Sequence, residues 1–218
     1  MNIYGENAND QFGYSVSLSS NGSILAIGAP FVKNNNIVSG NVMIYEWKDS
    51  NWMKLGNNFI FENTYEDFGT SVSLSSDGTV LAIGSQNGKD NNNNYRGHVK
   101  VYEWNGSIWN QRGTNIIGSN DYLDYSVSLS GDGTVLAIGS PLNDNKDTNS
   151  GLVIVYKWEN LKWVQLGIDI YSENAGDRSG YSVSLSNDGN VLAIGAIDAI
   201  DAKDSNNVNG HVRVYDYK

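Results

Sequence analysis

Apolar and polar side chains alternate along short stretches of this chain with a period of two residues. In one stretch Tyr125, Val127 and Leu129 point to one side, and the serines between them point to the other. The next stretch, 135–138, is apolar at every position, as expected for a strand covered on both faces. Between the two lies Asp132–Gly133, a dipeptide that tolerates the positive φ angles of a tight hairpin turn. The pattern predicts two antiparallel strands, a and b, and no helix.

This pattern occurs four times. The pentapeptide Ser-Val-Ser-Leu-Ser begins at Ser15, Ser71, Ser126 and Ser182, in steps of 56, 55 and 56 residues. Each copy is followed by Leu-Ala-Ile-Gly and then by a third apolar stretch, c, that begins with Gly and ends with Tyr. A short turn leads from stretch c to a fourth stretch, d, which in one copy lies around 109–113. Four short strands in each unit of about 55 residues are typical of β-propeller blades.

The expected fold is therefore all-β, a propeller of four four-stranded antiparallel blades in a single domain over residues 1–218. The predicted blades are at about residues 11–61, 67–118, 122–172 and 178–218.

Two of the repeats carry a recognisable motif. Phe12–Val16 with Ile27–Pro30, and Asp67–Ser73 with Ile83–Ser85, resemble the FG-GAP repeats of integrin α-subunit propellers. The resemblance covers nearly the whole chain, although Phe-Gly becomes Asp-Tyr or Gly-Tyr in the other two copies. The repeats also resemble WD-repeat blades, which implies the same architecture. The FG-GAP resemblance implies a location outside the cell or on the surface of a particle.

The strand count leaves the closure of the ring open. The chain enters at the tail of a d strand, at Asn2–Glu6, and stops at Lys218 just after the fourth c strand, so one outer strand is missing. A ring of four blades closed within one chain is the arrangement we favour. The alternatives are half of an eight-bladed ring, completed by a homodimer about a twofold axis, and a fragment of a larger propeller.

Composition and charge narrow the range of partners. The chain has 14 Lys and Arg against 24 Asp and Glu, and its net charge of −10 repels nucleic acid and anionic lipid. It has no Cys, which excludes disulfides and thiolate chemistry. No apolar run is long enough for a bilayer span, and Met1–Glu6 lacks the features of a signal peptide. We expect neither nucleic-acid binding nor membrane insertion.

Calcium is the cofactor that the FG-GAP resemblance implies, through an Asp-x-Asp-x-Asp-Gly loop between strands a and b. In this chain the first two carboxylates of the loop are serines in every copy, such as Ser128 and Ser130, and the third is Asn21 in the first copy. We therefore expect a plain hairpin and no cofactor at this turn. Two other loops, Asn143–Asp147 and Asp198–Asp204, are rich enough in oxygen ligands to hold Ca²⁺.

Acidic residues gather on one predicted face. Because strand direction alternates, the b–c and d–a loops emerge on the same side of the ring. These loops hold Glu6, Asp10, Glu66, Asp67, Asp90, Asp121, Asp124, Asp144, Asp147, Asp177, Asp201 and Asp204. The candidate ligand-binding residues among them are Asp90, Asp121, Asp144, Asp147, Asp201 and Asp204. They offer hydrogen bonds to a sugar or a protein, and the alternative is that they only satisfy turn geometry.

No catalytic residues are predicted. His98 and His211 occupy a position that holds Asn or Leu in the other copies, which argues against a metal or a general-base role. Three Trp pairs of identical spacing are expected to fill gaps between blades: Trp47 and Trp52, Trp104 and Trp109, and Trp158 and Trp163. The sequons at Asn21 and Asn105 lie at predicted hairpin tips, where turn preference already explains them.

From the sequence alone we expect a non-enzymatic binding or adhesion module that recognises a protein or a glycan through its acidic loop face. The alternative is a structural component of a surface layer or particle. An enzyme would need carboxylates that converge on the ring axis, where strand a offers serines.

Overall fold

The computed structural model describes residues 1–34, 37–57, 59–60, 67–87, 96–118, 126–201 and 204–217, with the backbone alone described for 34, 60, 201 and 204–207. Every regular element among these residues is a β-strand. The strands form four antiparallel sheets in chain order, with two short hairpins in the loops between them. The predicted all-β class is confirmed.

Sheet 1 sets the order that the later sheets repeat. Its elements in chain order are β1 (Ser15–Leu18), β2 (Ile24–Ala29), the separate hairpin of β3 (Lys33–Asn34) and β4 (Ile37–Val38), then β5 (Asn41–Lys48), β6 (Asn51–Lys54) and β7 (Phe59–Ile60). The sheet order is β1-β2-β5-β6, and the two-residue strand β7 also pairs with β5.

Sheets 2 and 3 have the same plan of four strands and a two-residue fifth. Sheet 2 consists of β8 (Phe68–Leu74), β9 (Val80–Ser85), β10 (His98–Trp104), β11 (Trp109–Gln111) and β12 (Ile116–Ile117). Sheet 3 consists of β13 (Ser126–Leu129), β14 (Val135–Ser140), β15 (Leu152–Glu159), β16 (Lys162–Gln165) and β17 (Ile170–Tyr171).

Sheet 4 has one strand fewer. It consists of β18 (Ser179–Leu185), β19 (Val191–Ala196) and β22 (His211–Asp216), with the hairpin of β20 (Ile200–Asp201) and β21 (Asp204–Val208) before β22. Among the described residues this sheet therefore has three strands, where the sequence predicted four.

The turns between the first two strands of each sheet form as predicted. Their glycines have φ angles between 65° and 75°: Gly22, Gly78, Gly133 and Gly189. In the third turn, Asp132 Oδ1 accepts hydrogen bonds from Ser130 Oγ at 2.6 Å and from the Thr134 N–H at 2.9 Å. Burial alone would raise the pKa of Asp132, but these hydrogen bonds outweigh it and lower the pKa. The ionised carboxylate therefore closes the turn.

Neighbouring sheets pack face to face through apolar side chains. The core between sheets 1 and 2 holds Ile24, Ala26, Val42, Ile44, Phe68, Val72, Leu74, Leu81 and Ile83. Sheets 2 and 3, and then sheets 3 and 4, pack through equivalent positions. The outer tryptophans fill the space between sheets as predicted: Trp109 Nε1 donates to Leu55 O at 3.3 Å, and Trp163 Nε1 donates to Arg112 O at 3.0 Å.

The first and last sheets each keep one uncovered face. Val16 and Leu18 on sheet 1 are 62% and 56% exposed, and Val212 and Val214 on sheet 4 are 69% and 66% exposed. These two faces therefore do not pack on one another. The four-bladed ring closed within one chain, which we favoured from the sequence, is not the arrangement of the structure.

Candidate functional site

Loops from neighbouring sheets are joined at one end of the sheets. Ser39 O accepts a hydrogen bond from the Phe68 N–H at 3.4 Å, and Ser150 O accepts one from the Ser179 N–H at 3.0 Å. Each loop that follows the second strand of a sheet thus lies against the segment that leads into the next sheet, as the alternating strand direction predicted. We call this surface the loop face; its described residues are 7–13, 30–34, 37–40, 141–151, 172–178 and 197–200.

A cleft of about 610 Å³ opens on the loop face beside sheet 1. Two segments line it: Asn7, Ala8, Asn9, Asp10 and Gln11 come from the segment before sheet 1, and Phe31, Lys33 and Val38 come from the loop after β2. Phe31 lies edge-on to Tyr14 with ring centroids 6.4 Å apart, and the two side chains are 37% and 50% exposed. The cleft therefore places carboxamide groups beside an exposed aromatic pair, a combination that suits the hydroxyls and apolar faces of sugars.

Local hydrogen bonds fix the first of these two segments of the cleft. Asp10 is only 6% exposed, and its Oδ2 accepts a hydrogen bond from Asn7 Nδ2 at 3.2 Å. Asn9 and Gln11 have φ angles of 71° and 52°, and both side chains are exposed. The buried carboxylate thus holds the turn, and the neighbouring amides are presented to solvent.

A second acidic residue plays the same part between sheets 3 and 4. Asp177 is completely buried; it accepts hydrogen bonds from Ser172 Oγ and, at 3.1 Å, from the Asn174 N–H. Asp10 and Asp177 each lie three residues before a glycine of positive φ, Gly13 and Gly180. Asp10 and Asp177 therefore organise the loop face rather than project from it.

The structure places two of the six predicted ligand-binding residues in full. Asp144 and Asp147 are exposed on one loop, and each accepts a hydrogen bond from the backbone of that loop, Asp144 from the Asn149 N–H at 2.6 Å and Asp147 from the Thr148 N–H at 2.9 Å. They lie on the loop face but do not line the cleft. Their role in binding stays a prediction.

The side chains of the other four predicted residues are not described by the structure. Asp90 and Asp121 lie outside the described residues. Asp201 and Asp204 end β20 and begin β21, where the backbone alone is described.

The described side chains include no group of three His, Asp or Glu residues that could hold a metal ion. In the first candidate calcium loop, Asn143–Asp147, Asn143 Oδ1 accepts a hydrogen bond from the Asn145 N–H at 2.9 Å. In the second, Asp198–Asp204, Asp198 forms an ion pair with Arg178 at 3.2 Å between Oδ2 and Nε. Calcium binding at either loop stays a prediction.

His98 lies in β10 at the interface between sheets and is 3% exposed. Burial, and to a smaller extent the positive charge of Lys100, lower the pKa of His98 to about 3. The imidazole is therefore neutral near pH 7, as expected for a histidine inside a sheet.

Solved structures with a similar fold are about twice as long as this chain. The structure of U3-55K has a TM-score of 0.53 at 11% identity and matches 85% of this chain and 46% of its own. A protein from Bacteroides uniformis, assigned as a 6-phosphogluconolactonase, has a TM-score of 0.55 at 11% identity and matches 93% and 55%. The periplasmic gluconolactonase of Pseudomonas aeruginosa has a TM-score of 0.55 at 14% identity and matches 93% and 56%.

Two of these structures correct a prediction. We expected from the sequence that the chain is not an enzyme, and this exclusion is contradicted because lactonases share the fold. At 11% and 14% identity the likeness shows the fold alone, and that fold is propeller-like.

The remaining comparisons concern sequence and membrane spans. No curated protein sequence matches the chain. The described part of the chain contains no helix that could cross a membrane. Residues 5–45 match the profile of the FG-GAP repeat, so the predicted resemblance to this repeat is confirmed.

Proposed function

We propose that this chain is a binding module that recognises a carbohydrate through the cleft on its loop face. One observation carries the proposal: the exposed residues Asn9 and Gln11 line the same cleft as Phe31, whose ring lies edge-on to that of Tyr14. Amides donate and accept hydrogen bonds in the plane, as sugar hydroxyls require, and an aromatic edge packs against the C–H groups of a sugar ring.

The wider architecture supports this role. We propose that the four sheets are propeller blades, which leave their variable loops free on one face while the strands are committed to packing. The FG-GAP repeat at residues 5–45 supports a location outside the cell or on a particle surface. A protein ligand, the other class predicted from the sequence, is tested beside the carbohydrate.

A glycan array probed with the purified chain tests the proposal. We expect a set of related glycans to bind, and Gln11→Ala and Phe31→Ala each to weaken binding about tenfold, since one lost polar or aromatic contact is worth about 1–1.5 kcal/mol. Thr148→Ala, at an exposed residue of the same face outside the cleft, is the control and should bind normally. The carbohydrate proposal fails if no glycan binds, or if Thr148→Ala is as damaging as the cleft variants.

A structural role in a larger assembly is the second candidate. The uncovered apolar faces of sheets 1 and 4 favour it, because exposed apolar patches mark interaction surfaces. Measurement of particle mass separates the two roles, since carbohydrate recognition requires no assembly beyond a discrete particle.

A further inference from the structure

The uncovered face of sheet 4 carries the same kinds of residue as the equivalent faces of sheets 1, 2 and 3, each of which is buried against the next sheet. In sheets 1 to 3 the side chains directed at the next sheet are 9% exposed or less: Ile24, Ala26, Val42 and Ile44; Val80, Ala82, Val99 and Val101; Val135, Ala137, Val153 and Val155. The same positions of sheet 4 are Val191, Ala193, Val212 and Val214, and the last two are 69% and 66% exposed. Sheet 4 thus presents the half of an interface that would receive a further sheet.

The uncovered face of sheet 1 is the other half of that interface. In sheet 2 it is formed by Val72, Leu74, Leu81 and Ile83, and all four are at most 9% exposed. The equivalent positions of sheet 1 are Val16, Leu18, Leu25 and Ile27. Val16 and Leu18 are 62% and 56% exposed, whereas Ile27 is 4% exposed because it belongs to a cluster on which Ile3 and Phe12 of the same chain pack, so the uncovered part of this face lies at β1. Sheet 1 therefore presents the kind of face that packs on each of sheets 1 to 3, and that nothing supplies to sheet 4 within the described part of the chain.

A hydrogen bond that repeats between neighbouring sheets leaves, among the described residues, one donor unused in sheet 1 and one acceptor unused in sheet 4. The N–H of a leucine in one sheet donates to a serine Oγ of the preceding sheet, at 2.9 Å in each case: Leu74 to Ser17, Leu129 to Ser73 and Leu185 to Ser128. By the repeat, the remaining members of the series are Leu18 in sheet 1 and Ser184 in sheet 4. They lie at opposite ends of the chain.

Glycine positions show the same unfilled contact. A Cβ on Gly139 would lie 2.9 Å from the Gly180 carbonyl carbon, and a Cβ on Gly28 would lie 3.0 Å from that of Gly69, so a neighbouring backbone occupies the groove over each glycine. At the equivalent Gly195 of sheet 4, a Cβ would meet atoms of Ser182 only, which is in the same sheet. Gly13 of sheet 1 is the counterpart of Gly69 and Gly180, and a Cβ there would meet nothing within 4 Å.

The start of the chain matches the open edge of the last sheet. In sheets 1 to 3 a two-residue strand pairs with the third long strand, through Phe59 with Val42, Ile116 with Val99 and Ile170 with Val153. Among the described residues β22 has no such partner at Val212. Ile3 packs on the core of sheet 1 just as Phe59 packs on that of sheet 2, so the segment around Ile3 has the same place beside sheet 1 that β7 has beside sheet 2.

We propose that a second copy of this chain docks head to tail on the first, so that sheet 1 of each copy packs on sheet 4 of the other and Ile3 of each copy lies beside Val212 of the other. The contact is heterologous, because the two faces differ and lie at opposite ends of one chain. Two such contacts related by a twofold axis close a ring of eight sheets. This chain matches 46% to 56% of the length of the solved structures that share its fold.

This inference goes beyond the proposed carbohydrate site and is independent of it. In the ring each copy keeps its own cleft, and the twofold axis gives the particle two clefts on one face. If the unaltered chain is a dimer but binds no carbohydrate, the cleft proposal alone is refuted. If it binds carbohydrate but is a monomer, the ring proposal alone is refuted.

Light scattering coupled to size-exclusion chromatography tests the ring. We expect the chain to elute with twice its mass of 23.8 kDa. Val16→Lys and Val214→Lys alter side chains that are 62% and 66% exposed in the single chain, so both variants should fold, as circular dichroism will check, and both should elute at 23.8 kDa. Leu161→Lys changes an apolar residue that is 83% exposed on the outer hairpin of sheet 3, and it should remain dimeric.

The other outcomes overturn the proposal. A monomer at every concentration would mean that something other than a second copy covers the two faces. A polymer of open-ended size would mean that the contact does not close. Loss of the dimer in only one of the two Lys variants would indicate contact between like faces. Gly195→Ala provides an uncharged test, because it fills the groove over Gly195 and should weaken dimerisation at least tenfold.

Discussion

Close packing of the sheets predicts that alanine is costly at one glycine and harmless at its counterpart in the last sheet. Gly139 lies under the backbone of sheet 4: a Cβ there would be 2.9 Å from the Gly180 carbonyl carbon, closer still to its oxygen, and 2.5 Å from Ser126 Oγ. The φ angle of Gly139 is one that alanine adopts freely, since it is absent from the positive-φ glycines. The effect of Gly139→Ala is therefore one of packing, mainly against the backbone of sheet 4 and also against Ser126 of its own sheet, whose side chain can rotate.

The cost follows from what has to move. The Gly180 carbonyl belongs to backbone, so sheet 4 must withdraw by on the order of 1 Å before an ordinary van der Waals contact is restored. Such overpacking costs about 1–3 kcal/mol. The reduced entropy of the unfolded chain returns about 0.5 kcal/mol. We expect Gly139→Ala to lower the free energy of unfolding by about 2 kcal/mol.

Urea unfolding monitored by tryptophan fluorescence measures this change. Gly195→Ala is the matched control, because its Cβ would meet only the exposed Ser182 side chain, which can rotate away. Both substitutions are made in the Val16→Lys chain, so that docking of a second copy does not contribute. We expect the control to change stability by less than about 0.5 kcal/mol. Equal losses in the two variants, or no loss in Gly139→Ala, would refute the packing of sheet 3 on sheet 4.

Three further predictions concern burial, metal and the outer strands. Burial lowers the pKa of His98 to about 3 in the folded chain. Below about pH 6.5 the unfolded chain binds a proton at His98 that the folded chain does not bind, so acid favours unfolding. The free energy of unfolding should therefore fall by about 1.4 kcal/mol per pH unit between pH 6.5 and pH 3. His98→Leu, which copies the equivalent Leu152, should be less acid-sensitive than the parent between pH 7 and pH 5 in urea unfolding, and an unchanged pH slope would contradict this. Chelation with EDTA should leave the Tm unchanged, because turn oxygens such as Asp132 Oδ1 are already hydrogen-bonded, whereas a drop of several degrees would reveal a bound ion. Trp109→Phe should lower the free energy of unfolding by about 1–2 kcal/mol, because the hydrogen bond from Trp109 Nε1 to Leu55 O is lost. Trp47 is 44% exposed, so Trp47→Phe should cost less than half as much. Equal losses in the two variants would contradict the conclusion that Trp109 fills a gap between sheets.

The long strands and their turns were predictable because their signals are local. Alternation of period two and the Asn-Gly or Asp-Gly dipeptides depend on neighbouring residues alone, and β10 (His98–Trp104) forms at the third apolar stretch of its copy, as the sequence indicated. The two-residue strands β7, β12 and β17 were not predicted. Two residues are too few to show a period, and their pairing depends on a strand of the same sheet that precedes them by more than ten residues.

Ring closure was mispredicted for a different reason. The sequence shows that four units repeat, but the curvature that decides how many close a ring depends on how far neighbouring sheets are rotated in packing. The exposure of Val16 and Val214 is the first evidence that the arc stays open.

The candidate site was only partly predictable. Alternating strand direction correctly placed both kinds of loop on one face, but charge was a poor guide to which residues are presented there. Asp10 and Asp177 are buried by their own turns, and Asp144 bonds to its own loop. The cleft is lined by amides and Phe31 together with Asp10 and Lys33, and the sequence signal for it was the run of Asn and Gln around Asp10 together with an aromatic residue that follows Pro30.

Thiol labelling of the chain tests most directly whether its sheets form an open arc with ends that match. The chain has no cysteine, so Val155→Cys and Val214→Cys each introduce one thiol at equivalent positions that are 1% and 66% exposed. In dilute solution a maleimide should react quickly with the Val214→Cys chain and only at the rate of unfolding with the Val155→Cys chain, and excess unlabelled chain should protect the former. Slow reaction of both chains while they are monomeric would mean that the ring is closed within one chain, contrary to this account.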